Sequence, residues 1–257
     1  MTESQTLVSW NLDTPGTFNT GLAITGLMPN EQIRGIDFRP ATGELFAIGS
    51  FSNLYTLNTS TGEATAVGGG SFTPSLNGSR FGFDFNPTID RIRVVSDTNQ
   101  NLVLNPNDGT SSQMTPVFYA AGDVNEGQNP NIVGSSYTNS FAGATTTQLY
   151  GIDAGLNVLV TQANNAGTLE TVGPLGVDIT DMVGFDIDGS TNIGYAALQD
   201  ANFSRSSFWS IDLSTGQATY IGDIGGGARI VAMSIIPTPG TAAVLALPLF
   251  AAARRRR

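Results

Sequence analysis

The stretch "GIDFRP" at residues 35–40 returns in related form four times along the chain, and this recurrence decides the fold. The later copies begin at residues 82, 134, 184 and 232, which gives spacings of 47, 52, 50 and 48 residues. They are "GFDFNP" at 82–87, "GSSYTN" at 134–139, "GFDIDG" at 184–189 and "AMSIIP" at 232–237. A recurrence at nearly constant spacing of this size is typical of repeat architectures.

A second element recurs between these copies. In each copy two alternating apolar runs are joined by a turn. In three of the four copies the turn begins with Asn or Asp and ends in Gly. This pattern predicts a β-hairpin. The four hairpins are "LYTLNTSTGEATAVG" at 54–68, "LVLNPNDGTSSQM" at 102–114, "LYGIDAGLNVLVT" at 149–161 and "FWSIDLSTGQATYIG" at 208–222. With the "GIDF" strand and an intervening strand such as "LFAIG" at 45–49, each unit contains four short strands.

Four antiparallel strands in each unit of about 50 residues predict an all-β fold of the β-propeller type. Residues 8–27 match the hairpin alone, and residues 232–237 match the first strand alone. We therefore expect a five-bladed β-propeller closed by the N-terminal hairpin plus the C-terminal strand, with residues 1–237 as one domain and 238–257 as a separate tail. A β-sandwich is the alternative, but its strands need not repeat in sequence.

Composition excludes several kinds of chemistry. The chain has no cysteine, no histidine and a net charge of −10, so thiolate and imidazole catalysis are impossible. Outside the four terminal arginines, seven positive charges face 21 negative ones, which argues against nucleic acid as a partner. The start "MTESQTLVSW" lacks the basic and apolar regions of a secretory signal, so we expect either a cytoplasmic protein or a true start upstream of Met1.

Three long stretches go beyond periodicity. They are "FDFNPTIDRIRVVSDTNQNLVLNPNDG" at 83–109, "YAAGDVNEGQNPNIVGSSYTNS" at 119–140 and "TTTQLYGIDAGLNVLVTQANNAGTLETVGPLG" at 145–176. They resemble the bacterial proteins grouped as domain of unknown function 4394, and the resemblance covers about residues 8–237. It implies the repeat fold and export, and because that family has no established activity it implies no catalytic residue.

The tail resembles a different pattern, the PEP-CTERM sorting signal of Gram-negative bacteria. Pro237 and Pro239 stand where its Pro-Glu-Pro motif belongs, an apolar run covers 242–253, and the basic cluster is Arg254, Arg255, Arg256 and Arg257. Thr238 replaces the glutamate, and 12 apolar residues fall short of the roughly 20 that span a bilayer. The resemblance implies processing by an exosortase-like membrane protease, with transient membrane contact through the tail. An inert tail on a cytoplasmic protein is the alternative.

The third position of the repeated strand is a small polar residue in every unit: Asp37, Asp84, Ser136, Asp186 and Ser234. Because the innermost strands of a propeller line its axis, such a ring could chelate calcium. A residue that recurs in every unit is explained more simply as bonding a neighbouring strand, and we prefer that structural interpretation.

One other segment remains a candidate for calcium or another ligand. Asp123, Asn125 and Glu126 cluster oxygen ligands in a stretch outside the repeat, although the twelfth position, Gly134, is not the glutamate of an EF-hand loop. A second such stretch, "DIDGSTN" at 186–192, is interpreted as a turn.

Two charged residues on one strand need partners. Arg91 and Arg93 are two residues apart and so share one face of their strand, where we expect ion pairs with Asp90 or Asp97.

These observations predict an exported surface or extracellular-matrix protein that binds an unidentified extracellular ligand. We expect it to be a non-catalytic binding or structural module, with no catalytic residue, no bound metal and no cofactor assigned except for the calcium hypothesis. The alternative is an extracellular carbohydrate-active enzyme using paired aspartates, drawn from Asp37, Asp84 and Asp186.

Overall fold

The computed structural model describes residues 1–237, which form 19 strands and a single short 3-10 helix at Gly225–Gly227. Residues 1–237 contain no helix with the length and apolar character needed to cross a bilayer. Of the predicted sorting signal only Pro237 falls within this range, and Pro239 and the four arginines lie outside the described residues.

Four sheets account for most of the strands, and we call them blades one to four; all their strand pairs are antiparallel except one in blade three. In each blade the strands lie side by side in chain order, starting from the innermost. Blade one contains β3 (Ile33–Phe38), β4 (Leu45–Gly49), β5 (Leu54–Leu57) and β6 (Ala64–Val67), numbered after the N-terminal hairpin of β1 (Thr6–Ser9) and β2 (Thr20–Ala23). Blade two contains β7 (Phe81–Asn86), β8 (Arg91–Ser96), β9 (Asn101–Leu104) and β10 (Ser111–Gln113).

Blade three has a fifth strand, because β11 (Phe118–Tyr119) pairs in parallel with its outermost strand. The others are β12 (Ile132–Tyr137), β13 (Leu149–Asp153), β14 (Val158–Gln162) and β15 (Thr168–Pro174). Blade four contains β16 (Ile179–Ile187), β17 (Gly194–Asp200), β18 (Ser206–Ile211) and β19 (Ala218–Asp223).

The repeat phase assigned to the third unit was wrong by one strand. The stretch at 149–161 forms β13 and β14, which are the second and third strands of blade three rather than its outer hairpin. The true fourth strand is β15, and an 11-residue loop at 138–148 separates the first two strands. Alternating apolar residues mark a strand but not its place in the sheet, so the long loop misled the alignment.

The expected fifth four-stranded blade is not found among residues 1–237, where the arrangement is propeller-like with four blades. The hairpin β1–β2 is a separate two-stranded sheet, and residues 232–237 are not assigned to a strand. The hairpin and the C-terminal segment nevertheless lie between blade four and blade one: Leu7 packs in an apolar cluster with Ile36, and Trp10 packs in another with Phe208. The sheet is missing because, among residues 1–237, no strand pairs with both residues 232–237 and β1.

Adjacent innermost strands approach very closely. In blade two the closest approach is at Gly82, where an added Cβ would lie 2.5 Å from the backbone nitrogen of Ser135 in the next blade. The equivalent glycines in the other blades are Gly35, Gly134 and Gly184, and each would meet the next innermost strand or segment at 3.0 Å or less. A side chain at these positions would force the strands apart, so the repeated glycine sets the spacing at the axis.

We expect the hairpin to contribute a large share of the stability through Leu7, which is 9% exposed and packs against blade one. Leu7→Ala should lower the free energy of unfolding by about 2–4 kcal/mol, because it deletes a buried side chain and leaves a cavity. Chemical denaturation followed by circular dichroism measures this change.

Leu12→Ala in the same hairpin is the matched control, since Leu12 is 37% exposed, and it should change the unfolding free energy by less than about 0.5 kcal/mol. Equal effects of the two substitutions would contradict the packing of this hairpin against blade one.

Candidate functional site

A ring of hydrogen bonds surrounds the axis at the third position of the repeat. In each unit the small polar side chain accepts a bond from the backbone N–H one residue past the equivalent position in the next unit. The five bonds are Phe85 N to Asp37 Oδ2 at 2.8 Å, Tyr137 N to Asp84 Oδ1 at 3.0 Å, Ile187 N to Ser136 Oγ at 3.0 Å, Ile235 N to Asp186 Oδ2 at 2.5 Å and Phe38 N to Ser234 Oγ at 3.3 Å. The ring is thus continuous through the C-terminal segment, and the structural interpretation of this repeated position is confirmed.

The two serines also connect the three carboxylates. Ser136 Oγ lies 3.1 Å from Asp84 Oδ2 and 2.8 Å from Asp186 Oδ1. Ser234 Oγ lies 2.7 Å from Asp37 Oδ1 and 3.1 Å from Asp186 Oδ2. A hydroxyl has one hydrogen, so each serine can donate to only one of its two carboxylate neighbours. The other contact is a good hydrogen bond only if the carboxyl group itself carries a proton.

Burial and mutual repulsion disfavour ionisation of this acidic cluster. Asp37, Asp84 and Asp186 are 2%, 1% and 4% exposed, and one oxygen from each lies within 4.8 Å of the others. Burial raises the pKa of Asp84, and the charges of the other two aspartates raise it further. Burial, followed by the charge of Asp186, raises the pKa of Asp37 well above its usual range, and burial raises that of Asp186.

Such a cluster is neutralised by retained protons or by a cation. Carboxylate oxygens at this spacing suit a hard cation such as calcium, which takes six to eight oxygen ligands. Several oxygens of the cluster are already engaged by backbone N–H groups of the ring, which leaves fewer lone pairs for a metal. Retained protons agree with the raised pKa values and let each serine hydroxyl form hydrogen bonds with both of its carboxyl neighbours.

The segment at 120–128 has a different surrounding. Asp123 Oδ2 accepts a bond from Thr171 N at 2.6 Å, Asn125 donates to Thr171 Oγ1 at 2.9 Å, and Glu126 accepts from Gly122 N at 2.8 Å. Burial acts to raise the pKa of Asp123, but the hydrogen bonds from Thr171 and Asn125 outweigh it and lower the pKa. The bonds to Thr171 fasten the segment to β15, and the calcium hypothesis for its three residues stays a prediction.

The predicted partners of the two strand arginines are not the observed ones. Asp90 forms its ion pair with Arg39 of the neighbouring blade, and Arg91 donates to the Asp90 backbone carbonyl at 2.8 Å. Arg93 is 2% exposed and donates to Asn101 at 2.7 Å and to the Asn165 side chain at 2.8 Å. Closeness in sequence suggested ion pairs with neighbouring aspartates. In the folded chain Asp90 and Arg93 instead contact residues that are distant in sequence, Arg39 and Asn165.

The other prominent feature is a cavity of about 540 Å³ beside the N-terminal hairpin. Its lining includes Met1, Trp10 and Phe208, whereas none of the three clustered aspartates lines it. Sequence reasoning missed this cavity because it arises from what the last unit lacks. The signal was present in the incomplete match of residues 8–27 to the repeat.

Fold and site together define a propeller-like protein whose central polar residues hold the blades to one another. Its sequence from residue 6 to residue 234 matches the family described as "Domain of unknown function (DUF4394)". The match covers most of the chain, and the protein therefore belongs to this family.

Curated protein sequences include no match to the chain. Among solved structures it is similar to a structural genomics protein of unknown function from Bacteroides thetaiotaomicron VPI-5482, with a TM-score of 0.54 and 12% identity over 91% of this chain and 62% of that one. It is also similar to Kuenenia stuttgartiensis hydrazine synthase, with a TM-score of 0.45 and 13% identity over 73% of this chain and 47% of that one. The chain thus spans less than two thirds of either of these structures.

The ring bonds should be measurable as stability. Asp84→Ala removes the acceptor of the Tyr137 N–H, whereas Asp84→Asn keeps a carbonyl oxygen there. The alanine variant should therefore be less stable than the asparagine variant by about 1–3 kcal/mol, the cost of an unsatisfied buried donor. Urea denaturation of both proteins at one pH measures the difference. Equal stabilities would mean that the ring bond contributes nothing.

The acidic cluster should also make stability fall as the pH rises. Because the pKa values of Asp37, Asp84 and Asp186 are raised in the folded state, that state holds protons which the unfolded chain releases above about pH 4. Their contribution to stability is complete below that pH and is lost as the pH rises through the folded-state pKa values, by up to about 1.4 kcal/mol per pH unit for each proton.

The measurement is the unfolding free energy from pH 4 to pH 8, with a chelator present, for the wild type and Asp84→Asn. The N-terminal amine has its pKa lowered to about 5 by burial and acts in the opposite direction, but it cancels in the difference between the two proteins. The wild type should lose more stability than the variant over this range. Parallel curves would contradict proton retention at the cluster.

Proposed function

We propose that this protein is an exported, non-catalytic β-propeller-like module of the cell surface or extracellular matrix. One observation carries the proposal: the three carboxylates best placed for acid–base chemistry are at most 4% exposed and are used to bond neighbouring units. A general acid or base must come within hydrogen-bond reach of its substrate. The alternative of a carbohydrate-active enzyme with paired aspartates lacks support, because these aspartates do not line the cavity.

A binding role is supported by the loops that follow the innermost strands. These loops leave the same end of each unit. The loops of blades two, three and four and the C-terminal segment each display a large apolar side chain: Ile89 is 57% exposed, Phe141 50%, Ile193 42% and Ile236 63%. Neighbouring loops also bond one another, since Asn192 donates to the Asn139 side chain at 2.8 Å. Apolar groups gathered on one face are typical of interaction surfaces. This face is where we place the contact with the extracellular ligand.

Export is supported by the tail and by the composition. The Pro-x-Pro motif, apolar run and four arginines at 237–257 suit an exosortase-like protease, and the acidic, lysine-free body suits an extracellular module. Arginines are costly to move across a membrane, so the basic cluster would stay on the cytoplasmic side while the body is outside.

Intact mass spectrometry of the protein from fractionated native cells tests this proposal. We expect a mature form in the envelope or medium that lacks the residues beyond about Pro239. A cytoplasmic form that retains Met1 and all four arginines would contradict export and processing. An arginine-to-serine variant of residues 254–257 is the control, because it should change the processing and leave the folded body unaltered.

A further inference from the structure

The first residues of the chain repeat the local structure of blade one. In that blade Gly49 N donates to Asn53 O at 2.9 Å, and Ser52 N donates to Gly49 O at 3.0 Å. At the N-terminus the same pair of bonds joins Thr2 N to Thr6 O at 3.0 Å and Gln5 N to Thr2 O at 3.1 Å. Ser52 and Gln5 share a positive φ, of 66° and 60°. Thr2 therefore corresponds to Gly49, the last residue of β4.

The innermost segment fits the same register. In blade one Ile33 of β3 pairs with Gly49, and in the last unit Ile230 forms an antiparallel bridge with Thr2. Met1 then corresponds to Ile48, and its nitrogen donates to Ala232 O at 2.8 Å. The second strand of the last unit is thus present only from this point onward. The positions of Leu45, Phe46 and Ala47 in β4 have no counterpart among residues 1–237.

The cavity of about 540 Å³ lies where those positions would be. One wall is formed by residues 233–236 of the innermost segment and the other by residues 7–10, of which 7–9 belong to β1. Ile36 and Phe38 of blade one and Phe208 of blade four also line it. A strand of three residues is about 10 Å long and lies about 4.8 Å from each neighbour, which matches a gap one strand wide between two walls.

The chemistry of the gap is that of a strand buried on both faces. Its lining is mainly apolar, and all five residues of β4, the equivalent strand, are buried. The end of the gap at Met1 holds an α-amino group that is completely buried, and burial lowers its pKa to about 5. An amide N–H in the same place would donate the same bond to Ala232 O without a charge to desolvate.

We propose that this cavity is the seat of an extended apolar strand of about three residues, continuous with Met1 through a peptide bond to its nitrogen. The strand runs between residues 233–236 and β1 and completes the second-strand position of the last unit. The inference goes beyond the proposed function and does not depend on export, because it rests on the register and on the cavity.

The test is an N-terminal extension of the full chain. One variant places Leu-Phe-Ala, the sequence of Leu45, Phe46 and Ala47, directly before Met1, after a new initiator methionine. The matched control places Gly-Ser-Gly there. The apolar extension should raise the melting midpoint by about 5 °C or more, and the control should raise it little. Backbone amide exchange at residues 7–10 and 233–236 should slow only in the apolar variant.

Three results would overturn the proposal. The apolar extension could leave the midpoint and amide exchange unchanged, or it could lower the midpoint. Alternatively, truncation after Pro237 could lower the midpoint of the unextended chain while the extension brings no gain, which would assign the cavity to residues 238–257 instead.

Discussion

The whole arrangement depends on how the free edges of the innermost strands are satisfied. Each of these strands pairs on one side only, so its inner edge carries backbone N–H groups that need an acceptor other than a neighbouring strand. One short acidic or hydroxyl side chain in each unit supplies the acceptor, and glycine two residues earlier lets the strands come close enough. An aspartate side chain is long enough to accept the bond from the next unit. Three ionised aspartates around one axis, however, would repel one another in a buried site. The other two units have serine at this position, which adds no charge, and each serine hydroxyl bridges two of the carboxyl groups.

The use of these aspartates as acceptors between units also bears on function. An aspartate that accepts a backbone bond from the next blade is fixed in orientation, and moving it to meet a substrate would open the ring. Under the proposed function the central polar groups therefore serve the structure, and the contacts with a ligand fall to the loops. Exposed apolar side chains such as Phe141 and Ile193 lie on those loops, away from the framework.

Much of the fold could be predicted from the sequence, because the repeated motif carries its own spacing. Asp37 and its equivalents could be assigned a structural role for the same reason: a catalytic group has no need to recur in every unit. The sequence could not show that the stretch at 149–161 lies one strand further in, since alternation is the same for every strand of a sheet. Nor could it show that Arg93 bonds Asn165, because that contact spans 72 residues. The cavity could not be predicted, because the repeat pattern identifies residues and not the empty space between them.

The repeated glycine has one exception, and it lies where the chain closes on itself. Gly35, Gly82, Gly134 and Gly184 are followed in the last unit by Ala232. The ring bond of that unit, from Phe38 N to Ser234 Oγ, is also the longest of the five at 3.3 Å. A methyl group where the other units have glycine and the longest of the five bonds thus occur at the same junction. We therefore expect a pulling force or rising temperature to separate the last unit from blade one before any single blade loses its own sheet.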